Sequence, residues 1–134
     1  MYSFKTSVKL HDTDMAGLLF FGHQFKIAHD AYEEFMEAVG LGFARLIHSG
    51  EFLLPIVRAE ADYKAMLQVG DKLKVQVRAV NIGKTSFTLD YNLIGIDGES
   101  VGTVKTVHVC VDSERREKMP LPEKLRKALL TITD

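Results

Sequence analysis

Gly22-His23-Gln24-Phe25-Lys26-Ile27-Ala28-His29-Asp30-Ala31-Tyr32-Glu33-Glu34-Phe35-Met36-Glu37-Ala38-Val39 is the stretch on which the fold turns. Phe25, Ala28, Tyr32, Phe35, Met36 and Val39 recur at spacings of three and four. That spacing predicts a helix with one apolar stripe, and Glu33, Glu34 and Glu37 fall off the stripe. Gly40 and Gly42 stop the helix, because glycine takes the left-handed conformation that ends a helix without steric cost. A short second helix is expected over Phe43 to His48.

On either side the period drops to two. From Phe4 to Leu10, the residues Phe4, Thr6, Val8 and Leu10 alternate with Lys5, Ser7 and Lys9, as in a half-buried strand. His11 to Gly17 is rich in turn formers. Four strands are expected after the helices, at Pro55 to Ala65, Lys72 to Val80, Ser86 to Ile94 and Val101 to Val111. Asn81-Ile82-Gly83-Lys84 and Asp97-Gly98 supply hairpin turns between them. Pro122 to Leu130 reads as a terminal helix with proline near its first turn. One strand, one long helix and four consecutive strands make an α+β chain, in which an antiparallel sheet wraps the long helix.

The 134 residues suit a single domain, 1–134, and 46% of them are hydrophobic. A chain of this size keeps a large surface fraction, which favours self-association. The net charge of −1 gives no electrostatic case for nucleic acid. Cys110 is the only cysteine, so neither an intrachain disulfide nor a cysteine metal cluster can form. No apolar run approaches a membrane span, and no leader pattern opens the chain. These features predict a soluble cytoplasmic protein without a membrane partner.

The chemistry concentrates in Asp12-Thr13-Asp14-Met15-Ala16-Gly17-Leu18-Leu19-Phe20-Phe21-Gly22, a carboxylate-bearing loop that runs into the long helix. A helix N-terminus offers unpaired N–H groups and a partial positive charge. Such donors stabilise an oxyanion, and a nearby carboxylate acts as general base or as nucleophile. An acidic residue at this position also serves commonly as a cap or turn former. Residue type alone leaves both readings open.

The same segment resembles the signature of the 4-hydroxybenzoyl-CoA thioesterase family, an Asp-x-Asp-x-x-Gly run with apolar and aromatic residues before the central helix. The similarity continues through Tyr63, Gly70-Asp71, Lys84-Thr85-Ser86-Phe87 and the last strand. It implies a hotdog fold and hydrolysis of an acyl-CoA with no cofactor. It also implies sites at the interfaces of a homo-oligomer, a dimer or a tetramer. By the resemblance, Asp14 is the catalytic carboxylate and Asp12 is structural. The Phe21 N–H polarises the thioester carbonyl, with the Gly22 N–H beside it. Phe20, His23 and Lys84 become substrate-binding candidates, Lys84 through the turn that faces CoA. His23 departs from the family, whose members often carry Asn there. Within the family, Ala28-His29-Asp30-Ala31-Tyr32-Glu33 is similar to the helix of hydrolases acting on 1,4-dihydroxy-2-naphthoyl-CoA.

The remaining candidates read as structure. His29 borders the apolar stripe and is expected in the core or an interface. His11 and His48 are expected at the surface, and His108 on one sheet face without a named partner. No histidine pair has zinc spacing, so no metal is expected. Cys110 reads as a small core residue, and no Gly-x-Ser-x-Gly elbow exists. Lys64 and Lys105 read as solvated lysines. Two alternatives to the hydrolase are a dehydratase on the same fold, acting on a hydroxyacyl thioester, and a non-catalytic acyl-CoA-binding module.

Overall fold

The computed structural model describes all residues, 1–134. In chain order the elements are β1 (Tyr2–Ser7), α1 (His23–Ala38), α2 (Phe43–Ser49), β2 (Phe52–Leu53), β3 (Ile56–Tyr63), β4 (Lys72–Ile82), β5 (Ser86–Ile94), β6 (Ser100–Val109), β7 (Val111–Asp112) and α3 (Glu123–Leu130). Five strands form one antiparallel sheet in the order β1-β4-β5-β6-β3. This is the α+β arrangement expected, with α1 packed against β1, β4 and β6.

The register explains the core. Val77 pairs with Tyr91, which pairs with Val104, and Val75 pairs with Leu93. Side chains alternate across a strand, so these residues share the face turned to α1. That face meets Ile27, Ala28, Ala31, Tyr32, Phe35 and Met36 of the helix, all buried. Ile27 and Ala31 join the expected stripe, while Phe25 and Val39 sit at its half-buried margins. The apolar arc of α1 is therefore wider than the simple three-and-four count.

Several boundaries differ from the sequence reading. The first strand ends at Ser7, and Leu10 is exposed in a single 3-10 turn, Leu10–Asp12. The turn forms because the Asp12 carboxylate accepts the Lys9 N–H, a local bond that competes with the ladder. β4 runs on to Ile82, since Asn81 and Ile82 pair with Thr88 and Phe87 across a bulge. The last long strand stops at Val109, and Val111–Asp112 pairs instead with Phe52–Leu53. Pro122 caps α3 rather than entering it.

Gln24 locks α1 to the sheet. Its side-chain amide donates to the carbonyls of Asp62, at 3.0 Å, and Thr103, at 3.1 Å. The side chain fits because Gly102 lies beneath it: a Cβ there would stand 2.8 Å from the Gln24 amide.

Candidate active site

The Asp14 loop is organised by its own carboxylate. Asp14 Oδ1 accepts the N–H groups of Ala16, at 2.9 Å, and Leu18, at 3.3 Å. The backbone closes the turn, with Asp14 N–H donating to Leu18 O at 2.8 Å. Gly17 has φ +75°, a value costly for a residue with a Cβ. One carboxylate oxygen is thus anchored, while Oδ2 has no hydrogen-bond partner in the protein. Such an arrangement holds an acid in one orientation and keeps a lone pair available.

Asp12 does the structural work expected of it. It is 1% exposed. Its carboxylate takes the Lys9 N–H and lies 3.6 Å from Lys26 Nζ, while its carbonyl accepts the Phe20 N–H at 3.0 Å. The first acid of the motif ties the loop to the start of α1, and the second is displayed at the surface.

Phe20, Phe21, Gly22 and His23 come together at the entry to α1. The Phe20 ring sits 4.7 Å from that of Phe21 and 5.4 Å from that of His23. It also covers Gly22, where a Cβ would meet the ring at 3.1 Å. Neither the Phe21 nor the Gly22 N–H donates to any protein acceptor. The Phe21 carbonyl accepts the Tyr63 hydroxyl at 2.7 Å, fixing the Phe21–Gly22 peptide. Tyr63 entered the sequence reading only as a point of similarity, and no local pattern reveals this contact across 42 residues.

Asp14 makes no hydrogen bond to this cluster, although the Asp12–Phe20 bond holds both at one end of the sheet. Phe21 is 65% exposed and Met15 fully so, an unusually apolar rim around an exposed acid. Lys84 stands at the other end. β5 leaves the Lys84 turn at Ser86 and reaches Leu93 after about 23 Å, and Leu93 pairs with Gly102, the partner of Tyr63. Within one chain, Lys84 and Phe21 cannot touch the same small ligand head.

The other candidates are placed plainly. His11 and His48 are exposed, as expected. His29 is half-buried and pairs with Glu33 at 3.2 Å. His108 is a correction: it is fully buried and has a partner, with Nε2 2.7 Å from Thr106 Oγ1. Burial first, and the charge of His29 second, push its pKa down to about 3. Cys110 is buried, and burial pushes its thiol up to about 11, against a nucleophilic role. Lys105 pairs with Asp90 at 3.3 Å, and Lys64 is exposed.

A helix packed on the sheet, an anchored acid with one free oxygen and two unpaired amides at the helix entry make up the candidate site. The chain belongs to the thioesterase-like superfamily, whose model matches residues 8–129. It is 35% identical over 134 residues to the 1,4-dihydroxy-2-naphthoyl-CoA hydrolase of Synechococcus elongatus, covering 99% of this chain and 98% of that one. The crystal structure of a 1,4-dihydroxy-2-naphthoyl-CoA thioesterase from Synechocystis superposes with a TM-score of 0.90 at 30% identity, covering 96% and 95% of the two chains. A gentisyl-coenzyme A thioesterase structure superposes with a TM-score of 0.84 at 25% identity, covering 95% and 98%. Thioester hydrolysis of acyl-CoA is the activity of this chain.

Proposed function

We propose that the chain hydrolyses an aromatic acyl-CoA of the 1,4-dihydroxy-2-naphthoyl type, releasing the free acid and CoA. The observation that carries the reading is the pairing of an anchored Asp14 with two unpaired amides, at Phe21 and Gly22, at the same end of the sheet. The full-length similarity to hydrolases of that substrate supports the acyl class.

In this reading the thioester oxygen takes the Phe21 N–H, with Gly22 beside it. Developing negative charge on that oxygen is stabilised by fixed donors at a helix N-terminus. Asp14 Oδ2 then removes a proton from attacking water, and the proton passes to the departing sulfur. Alternatively, Asp14 adds to the carbonyl itself to give an acyl–aspartyl anhydride that water hydrolyses in a second step, its proton again going to the thiolate. CoA thiolate departs with the bond broken at carbon, and Phe20 and His23 wall the reacting group from water. Both routes end in carboxylate and thiol, and the Asp14 side chain is required in each.

The complete site takes a second copy of the chain. Strand β3 is the edge of the sheet with one side free, and its Ile56, Val57 and Tyr63 are 41%, 61% and 49% exposed. The other edge, β1, exposes Lys5, a residue that discourages strand pairing. Two β3 strands paired antiparallel about a two-fold axis bring the Ile56 end of one chain beside the Tyr63 end of the other. Lys84 of the partner subunit then stands near Phe21, where a cation suits the phosphates of CoA. A homotetramer is two such dimers. The cytoplasm, where acyl-CoA esters are present, is the proposed location, and no helix of the fold is long and apolar enough to cross a membrane.

The test is release of free thiol from aryl, short-chain and long-chain acyl-CoA esters, with wild type and Asp14→Asn side by side. Aryl preference is expected, with a loss of about 10²-fold or more in kcat for the variant. A preference for fatty acyl chains overturns the substrate class, and a fully active Asp14→Asn removes Asp14 from the mechanism.

A further inference from the structure

Between α1 and the free edge strand β3 lies a cavity of about 280 Å³, close to the lower bound for small-molecule pockets. Phe25 and His29 wall it from the helix, Ile56 and Ala59 from β3, and Tyr91 and Thr106 form its floor on the sheet. Phe25 and His29 follow Phe21 by one and two helical turns, about 6 and 12 Å along the axis. β3 runs beside them from Tyr63, which grips the Phe21 carbonyl, back to Ile56. An acyl group whose carbonyl meets the Phe21 N–H therefore extends along this groove into the cavity.

The floor carries an oriented chain of hydrogen bonds. Tyr91 Oη lies 3.0 Å from Thr106 Oγ1, which lies 2.7 Å from His108 Nε2. All three residues are buried: Tyr91 is 2% exposed, Thr106 6% and His108 0%. His108 Nδ1 has no partner. The imidazole is held neutral by its burial, so Tyr91, Thr106 and His108 bring three hydrogens to two hydrogen bonds. With the proton on Nε2, His108 donates to Thr106, Thr106 donates to Tyr91 Oη, and the Tyr91 hydrogen is unspent. With the proton on Nδ1, the bonds run the other way and the Tyr91 lone pairs are unspent. In either arrangement Tyr91 Oη makes one hydrogen bond in the protein and has capacity for a second, at the floor of a cavity whose other polar lining is Lys26, His29 and Thr106.

We infer that the Tyr91 hydroxyl, oriented by Thr106 and His108, binds a ring oxygen of the acyl group and selects oxygenated aryl thioesters over their deoxy analogues. The inference rests on the thioesterase reading and goes further, since it names the atom of substrate that is read and the residue that reads it. Selection follows from the cost of leaving the buried Tyr91 hydroxyl without a second partner when the substrate lacks the oxygen.

The test compares kcat/KM for 1,4-dihydroxy-2-naphthoyl-CoA and 1-hydroxy-2-naphthoyl-CoA, which differ by one distal oxygen, in wild type and Tyr91→Phe. Wild type is expected to favour the dihydroxy ester about tenfold or more, and Tyr91→Phe to bring the two esters to within about threefold. The phenyl ring keeps the packing; Thr106 loses its Tyr91 partner, so a modestly lower thermal midpoint is expected, with an unchanged circular dichroism spectrum showing that the fold is kept. A second variant, Ala59→Leu, partly fills the cavity and is expected to depress both aryl esters while sparing acetyl-CoA or another short ester. Equal loss on both aryl esters in Tyr91→Phe, or no loss of discrimination, overturns the inference and leaves the hydrolase assignment standing. No turnover of any aryl ester by wild type overturns both.

Discussion

The Tyr63 hydroxyl donates to the Phe21 carbonyl at 2.7 Å, joining the end of strand β3 to the peptide that opens the central helix. That carbonyl belongs to the same peptide unit as the Gly22 N–H. A hydrogen bond on the oxygen polarises the N–H and fixes its direction. In the proposed mechanism Tyr63 is thus a positioning residue for one of the two oxyanion donors. Tyr63→Phe is expected to lower kcat about three- to tenfold, the worth of one neutral hydrogen bond. KM should change less, because the donor acts most strongly on the charged transition state. A change in KM alone would mean that Tyr63 merely shapes the entrance.

If Asp14 and Lys84 of a working site come from different subunits, crippled chains should complement each other. Asp14→Asn and Lys84→Glu each impair every site of their own homodimer. In a mixed dimer one site receives both lesions and the other receives none. Equal mixing with subunit exchange is therefore expected to restore about a quarter of wild-type activity at subsaturating substrate. Mixtures no more active than the average of their parents would place the two residues in separate sites.

Gln24 is the polar bolt between α1 and the β3–β6 pair, and Gly102 is the space it occupies. Gly102→Ala brings a methyl within 2.8 Å of the amide and forces it off the carbonyls of Asp62 and Thr103. A loss of about 1–3 kcal/mol is expected for the buried acceptors left behind. Urea denaturation measures it. Gln24→Leu should show a similar loss, and the double variant should lose less than the sum, because both changes break the same contact.

His108 makes stability depend on pH. It is neutral in the folded protein, its pKa pushed down to about 3 by burial and then by the charge of His29. The unfolded chain binds a proton near the ordinary value of about 6.5. Between those values the unfolded state holds the extra proton, so stability falls as pH falls, by up to about 1.4 kcal/mol per pH unit. His108→Gln cannot take up that proton. Urea midpoints measured from pH 7 to pH 4.5 should drop more steeply for wild type than for this variant. Parallel slopes would show that His108 does not carry the effect.

The alternation of Ser86 to Ile94 marked β5 to the residue, and the expected helix from Gly22 to Val39 matched α1 to within a residue at each end. Both signals are local: side-chain period follows from backbone geometry and from which face avoids water. The Asp12–Gly22 segment identified the loop and helix entry for the same reason, since cap, acid and amides are neighbours in the chain. Leu10 illustrates the limit. It continued the alternation of β1, yet a carboxylate two residues on drew the backbone into a turn and left the side chain in water.

What only the tertiary structure decided is the set of contacts between distant segments. Tyr63 reaches Phe21 across 42 residues, and Gln24 reaches Thr103 across 79. His108, placed by its alternation on one face of a strand, proved to be a fully buried link to Thr106 and Tyr91. The separation of Lys84 from Phe21 came from strand register, which fixes how far apart two turns lie and which a one-dimensional pattern does not contain. Periodicity sorts residues by face, while identity of the partner across that face is set by packing, and that is where the chemistry of this chain is assembled.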